Sequence, residues 1–381
     1  MCVDGFDKIK QLSAQMDLEP AEETGCIHPR RHEGDIALTD VVMPGGKSIR
    51  LLKTLLTSAC ERNCFYCPFR AGRDFRRATF KPEELAQTFM ALHRAGLAQG
   101  IFLSSGIVGK GIRTQDQLIA SAEILRYKLG YQGYLHLKIM PGAERAQVER
   151  CMQLADRVSI NLEAPNALRL EKLAPRKQFF DELVKPLQWV EEIRKTQPEH
   201  LGWNRHWPSS VTQFVVGGAG ENDLELLSIS EQLFRRLRLR RTYYSAFKPF
   251  PDTPLENLPP ESPVREHRLY QASFLLRDYG FSMEELPLDE QGNLPLANDP
   301  KLVWAQQNLA ESPVEINRAS RHELIRVPGV GPVSASRIIE ARRLGRVDHI
   351  AQLGKLGVNT DRIAPFILLN GKRPAYQRSF W

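Results

Sequence analysis

The chain has 381 residues, 42% of them apolar and 25% charged. That is ordinary globular composition, long enough for one large domain plus a smaller one. The formal net charge is +7, and residues 312–381 hold twelve Lys and Arg against five Asp and Glu, so all of the excess lies in that C-terminal stretch. No run approaches the roughly 18 apolar residues of a membrane span, and the start "MCVDGFDKIKQLSAQMD" lacks the apolar core of a signal peptide. The expectation is a cytoplasmic protein with no membrane partner. Its six cysteines then read as metal ligands or buried hydrophobes rather than as a disulfide framework.

In chain order, apolar β-branched stretches alternate with amphipathic segments of helical length. The strands are expected at 48–58, 100–106, 133–140, 157–163, 210–218 and 242–247, with helices such as 81–96, 114–130 and 221–237 between them. Pro82 and the acidic residues after it fit a helix start. Six βα units in a row predict an α/β fold with a parallel sheet, either curled as a barrel or open. In both forms the chemistry sits at the C-terminal ends of the strands. The expected divisions are an N-terminal extension (1–45), the barrel (46–286), a linker (287–311) and a small all-α domain (312–381).

Directly after the first predicted strand comes "CERNCFYCPF", with Cys60, Cys64 and Cys67 spaced C-x3-C-x2-C. Three thiolates can hold three corners of an iron–sulfur cubane and leave the fourth iron open. A zinc ion is the alternative, but a closed structural zinc site needs four ligands, and the next histidine, His93, falls in a predicted helix. The motif, with aromatic Tyr66 before its last cysteine, resembles the signature of the radical S-adenosylmethionine (SAM) superfamily. That resemblance implies a partial (β/α)6 TIM-like barrel, a [4Fe-4S] cluster and SAM as cofactors, and a one-electron donor such as flavodoxin or ferredoxin.

The same resemblance assigns cosubstrate contacts strand by strand. Ser104, Ser105 and Gly106 stand where the family has a small-residue motif for the amino group of SAM, although the commoner Gly-Gly-Glu is absent. "VSINLE" offers Ser159, Asn161 and Glu163 to the ribose and carboxylate. Gly217 and Gly218 in "VVGGAGE" and Phe247 in "YYSAFKPF" occupy the segments that border the adenine. Without a following Gly-Lys-Ser/Thr the glycines form no P-loop. The fourth cluster ligand is then the cosubstrate itself. No general acid or base can be named from the sequence.

Other features carry less. Cys2, Cys26 and Cys151 have no ligand spacing and read as buried cysteines rather than as a second cluster. "FRRLRLRR" (234–241) precedes a strand and therefore lies at the bottom of the barrel, as a solvated face. "FRAGRDFRRATFK" (69–81), with Arg169, Lys172, Arg176 and Lys177, lies on the active face. These residues either steer a polyanionic substrate or form solvated loops.

The C-terminal stretch "INRASRHELIRVPGVGPVSASRIIEARR" (316–343) reads as helix, tight hairpin, helix. Asn317 to Ser320 supply caps, Pro328 ends the first helix and Pro332 opens the second. Gly329, Val330, Gly331 and Ser334 place backbone N–H groups at a helix N-terminus, an arrangement suited to phosphate. The stretch resembles the helix-hairpin-helix DNA-binding motif, which grips the nucleic-acid backbone without reading bases. Residues 345–370 look like a second, degenerate hairpin used for packing. The order of barrel and hairpin resembles a bacterial radical SAM family assigned to DNA modification or repair. The implied activity is generation of a 5′-deoxyadenosyl radical over DNA. The alternatives are RNA modification and a non-catalytic DNA-binding protein with a structural or redox-sensing cluster.

Overall fold

The computed structural model describes residues 5–14, 16, 31–33, 36–42, 46 and 48–375. They divide into two compact units: Met1–Glu221 with Gln232–Pro263, and Asn222–Glu231 with Val264–Trp381.

In the first unit, the described residues place eight strands in one sheet in simple chain order. Strands β1 (Arg31–Glu33) and β2 (Ile36–Val42) are antiparallel. From β3 onward every pairing is parallel: β3 (Ser48–Leu55), β4 (Gly100–Ser104), β5 (Tyr134–Lys138), β6 (Arg157–Ser159), β7 (Ser209–Val216) and β8 (Arg241–Ala246). These six form the parallel sheet that the alternation predicts, curled as the resemblance implies. Strand β4 is buried along its whole length, as expected where helices cover one face and side chains fill the other.

Helix α1 (Gly5–Ala14) precedes the sheet. The helices between its strands are α2 (Pro82–Arg94), α3 (Lys110–Glu123), α4 (Arg145–Leu154), α5 (Ala167–Leu173), α6 (Lys185–Thr196) and α7 (Asp223–Leu237). Pro82 opens α2, with Glu83 and Glu84 in its first turn. Carboxylates there favour the positive end of the helix dipole.

Three local expectations are corrected. The N-terminal stretch 1–45 contributes two strands to the sheet as well as α1. The region expected as a strand over 157–163 is regular only to Ser159; beyond it the Thr212 hydroxyl enters the pairing, accepting from Leu162 N (3.2 Å) and donating to Ile160 O (2.6 Å), and Glu163 turns left-handed at φ 64°. The helix expected over 114–130 starts at Lys110 and widens to a π-helical turn at Ile124–Lys128. Cys151 is buried in α4, and the Gln115 amide donates to its sulfur at 3.1 Å. Cys2 and Cys26 lie outside the described residues.

The second unit begins earlier than expected. Asp223 accepts hydrogen bonds from Arg265 Nε (2.8 Å) and Leu294 N (2.9 Å), which ties the start of α7 to this unit. The region 287–311 is not a bare linker. It carries α9 (Pro300–Asn308), whose Ala305 is fully buried in the same core as Leu324, Val327, Ile338 and Ile363. Around it are α8 (Pro263–Asp278), α10 (Arg321–Leu324), α11 (Pro332–Leu344), α12 (Ile350–Lys355) and α13 (Thr360–Ile363). The domain is not purely helical, because β9 (Val314–Glu315) and β10 (Ile367–Leu368) pair in parallel. Among the described residues no helix is long and apolar enough to cross a membrane.

Candidate functional site

The cysteine loop leaves the end of β3 and is fastened on three sides. Glu61 N donates to Ile107 O (2.8 Å), and the Glu61 carboxylate accepts from Gly109 N and Lys110 N at the start of α3. Phe65 N donates to Leu173 O (2.7 Å) at the end of α5. From below, one guanidinium gathers the loop's carbonyls. Arg77 donates to Ser58 O (2.8 Å), Phe69 O (3.0 Å), Arg70 O (3.0 Å) and Arg73 O (3.1 Å), and it stacks 4.2 Å from the Phe75 ring.

One cavity of this unit is lined by Cys60, Cys64, Tyr66 and Cys67 from that loop, and by Ser104, Ser105 and Gly106 after β4. Lys138, Asn161, Glu163, Lys177 and Gln213 complete its polar wall. Gly106 fits only as glycine: a Cβ there would lie 2.1 Å from Ala59 O. Backbone N–H groups already point at two sulfurs, from Ile107 to Cys60 at 3.4 Å and from Phe69 to Cys67. Burial pushes the Cys64 and Cys67 thiols above the usual range.

Glu163 is 3% exposed, and its Oε1 accepts from Lys177 Nζ at 2.9 Å. Its Oε2 is buried with no hydrogen-bond partner among the described residues. Burial opposes ionisation of this carboxyl, but Lys177 and then Lys138 hold it below the ordinary range. Burial likewise works against the Lys177 ammonium, and Glu163 outweighs it, so its pKa is raised. The Tyr66 phenol, pushed well up by burial, faces the same carboxylate. Deeper in the barrel, Lys138 Nζ donates to Asn161 Oδ1 (2.6 Å), and Asn161 Nδ2 donates to Gln213 Oε1 (3.3 Å). The three make a polar row across β5, the segment after β6, and β7.

Four of the expected cosubstrate residues stand away from this wall. Ser159 is buried, and its Oγ lies 2.9 Å from His136 Nε2. Gly217 is left-handed (φ 86°), and its N–H donates to Glu221. Gly218 packs against Leu173 and Phe247, and Phe247 is itself 2% exposed. Lys138 and Gln213 belong to no motif in the sequence, although a lysine closing the buried strand "YLHLK" of β5 is a visible signal. For the arginines of 69–81 the expectation is either the steering of a polyanionic substrate or solvated loops. Instead, Arg77 is bonded within the loop, and Arg73 donates to Pro251 O (2.9 Å) and Pro68 O (3.1 Å).

Which metal do these thiols suit? Among the described residues, no three His, Cys, Asp or Glu side chains group as ligands of a single ion. Three thiols on one wall of the cavity suit a cubane cluster, in which three irons each take one cysteine and the fourth is left to another ligand, whereas a closed zinc site takes four. The unpartnered Glu163 oxygen beside them fits a ligand that brings hydrogen-bond donors.

In the second unit the hairpin runs from Ser320, the N-cap of α10, to Gly331, the N-cap of α11. Gly329 is left-handed at φ 86°, and a Cβ there would press on Arg362 Cβ at 3.3 Å. Helix α10 is one turn only and ends before Pro328. Val330 departs from its expected role: its side chain is 1% exposed, its N–H donates to Val327 O, and its carbonyl accepts from Lys301 Nζ at 2.6 Å. In the second hairpin Leu353, Val358 and Ile363 join the core, in keeping with a packing role.

The family model described as the Radical SAM superfamily matches residues 54–233, and the Helix-hairpin-helix motif matches residues 310–358. No curated protein matches the chain. Among solved structures, the FeFe-hydrogenase maturase HydG from Carboxydothermus hydrogenoformans is 14% identical, with 60% of this chain and 51% of that chain covered and a TM-score of 0.47. Methylornithine synthase (PylB) is 16% identical, with 60% and 62% covered and a TM-score of 0.47. A radical SAM methyltransferase from Sphaerobacter thermophilus is 14% identical, with 65% and 73% covered and a TM-score of 0.45. The chain spans about half the length of the HydG structures it matches. Residues 54–233 thus carry a domain of the radical SAM superfamily, whose members use a [4Fe-4S] cluster and SAM, and a helix-hairpin-helix motif follows it in the sequence.

Proposed function

We propose that this protein is a radical SAM enzyme whose substrate is a nucleic acid, with DNA as the first candidate, and that the hairpin unit is its dock. The observation that carries the reading is a phosphate-type hairpin in the stretch that holds the whole net positive charge. Its contact would be to the phosphate backbone, independent of base sequence. With Val330 engaged internally, the contact falls to Gly329, Gly331 and Ser334.

In the barrel, Cys60, Cys64 and Cys67 are assigned to the cluster. Bound together, the cluster and SAM supply a 5′-deoxyadenosyl radical able to take a hydrogen atom from substrate. The residues around them bind and orient. Ser104, Ser105 and Gly106 present backbone beside the thiols, Asn161 offers its amide, and Glu163 offers an unpartnered oxygen. Tyr66 and the buried wall limit access of water. Lys177 keeps Glu163 ionised without being consumed. A one-electron donor of the flavodoxin or ferredoxin type completes the set of partners.

The test is anaerobic incubation of reconstituted protein, SAM and reductant with duplex DNA, single-stranded DNA and tRNA, followed by nucleoside mass spectrometry. A modified deoxynucleoside supports the reading. A product on tRNA alone would move the substrate to RNA. Turnover of SAM with binding to no nucleic acid would remove the nucleic-acid assignment.

A further inference from the structure

We propose that Lys301, outside the matched hairpin motif, is the charge-bearing part of the phosphate dock and makes docking fall off as pH rises above neutrality. The inference rests on the reading of the hairpin as a phosphate site. It concerns what supplies that site's charge.

The hairpin itself has little charge at its tip. The residues from Pro328 to Ser336 include no Lys or Arg. Beneath them, Lys301 on α9 is 8% exposed and donates to Val330 O at 2.6 Å. Its ammonium also lies 4.6 Å from the centre of the Tyr279 ring. The Tyr279 hydroxyl in turn approaches Gly331, where a Cβ would stand 3.3 Å from it. One lysine and one tyrosine thus support the hairpin from behind. The cation beneath the hairpin is thus nearly closed to solvent, where its charge acts on the hairpin with the least screening.

That cation is also adjustable. Burial lowers the Lys301 pKa to about 7; Asp299 opposes the shift, and Arg362 and Arg326 add to it. The charged and titratable groups around it are these three and Tyr279. Arg326 is paired with Glu285 at 2.8 Å, and Arg362 with Asp299 at 3.3 Å. Tyr279 is raised by burial and so stays neutral. A bound phosphate favours the ammonium, so docking takes up a proton on the alkaline side. The histidines of this unit, His267, His322 and His349, are all retained in a Lys301 variant, whose profile is therefore the reference for them.

The experiment is fluorescence-anisotropy titration of full-length protein with a labelled duplex at fixed salt from pH 6.5 to 9, with thermal melts at each pH to verify folding. The wild type is expected to lose about tenfold in affinity across the range, one order of magnitude being a typical cost of one phosphate contact losing its charge. Lys301→Gln should bind as the wild type does at pH 9 and show a flat profile from pH 7.5 upward. Lys301→Arg should keep the tighter affinity throughout. A flat wild-type profile overturns the proposal whatever the variants do, as does a Lys301→Gln profile that still falls above pH 7.5. If the wild type binds duplex at no pH, the dock reading itself fails, and that outcome is distinct from the other two.

Discussion

Lys177 and Glu163 form an ion pair of 2.9 Å at the wall of the thiol cavity, with side chains 9% and 4% exposed. The pair joins the segment after α5 to the left-handed turn after β6, so its two ends are far apart in covalent structure and adjacent in space. A buried pair of this kind contributes little against an apolar replacement, but its disruption strands a charge. Lys177→Met should therefore destabilise the apo-protein by about 3–5 kcal/mol, and Lys177→Met with Glu163→Gln should recover most of that loss. Anaerobic denaturant unfolding of both variants measures it. Equal losses would mean that the pair is not coupled.

The Arg77 guanidinium satisfies four carbonyls of the cysteine loop. Arg77→Lys retains charge but cannot span four acceptors. We expect cluster content, read from iron and the anaerobic absorption near the charge-transfer bands, to fall several-fold while the far-ultraviolet circular dichroism stays unchanged. Full cluster occupancy in that variant would show that the loop holds its shape without the clamp.

Asn161 sits between Lys138 and Gln213, away from the thiols' own bonds. Asn161→Ala should weaken SAM binding by about 1–3 kcal/mol, the usual cost of one such hydrogen bond, and leave iron content intact. Equilibrium binding of SAM to the reconstituted variant checks this, and unchanged affinity would remove Asn161 from the cosubstrate site.

Lys301 also has a signature in stability, opposite in sign to its effect on docking. Its folded pKa of about 7 lies below the ordinary 10.5. Below pH 7 both folded and unfolded chains hold the proton, and the full cost of burying charge is present. Between pH 7 and about 10.5 the unfolded chain binds more protons, so stability from this residue rises with pH. Lys301→Met should therefore raise the melting temperature at pH 6.5 and lose that advantage toward pH 10. A constant difference across the range would contradict the depressed pKa.

The barrel was legible because its signals are local. β-branched runs, Pro82 and the C-x3-C-x2-C spacing each state their own structure. The cavity's second half was not, because Lys138 and Gln213 act through Asn161, a partner distant in sequence from both. The arginine-rich 69–81 stretch carries the same composition whether its guanidinium groups face solvent or bind carbonyls. The second unit's boundary was missed for a related reason: Ala305 and Leu309 resemble any short amphipathic stretch until the hairpin core that they fill is present. Consequently a chain cut near residue 310 would remove half of a folded unit. Gly331→Asp, at the N-cap of α11, is the cleaner way to place a carboxylate against an incoming phosphate.

The most direct test of the central assignment is iron content and 5′-deoxyadenosine release by anaerobically reconstituted protein, beside Cys60→Ala, Cys64→Ala and Cys67→Ala. The account predicts about four irons per chain and 5′-deoxyadenosine from the wild type, with both lost in each variant. Stoichiometric zinc in anaerobically purified protein, or 5′-deoxyadenosine from any of the three variants at the wild-type level, would contradict it.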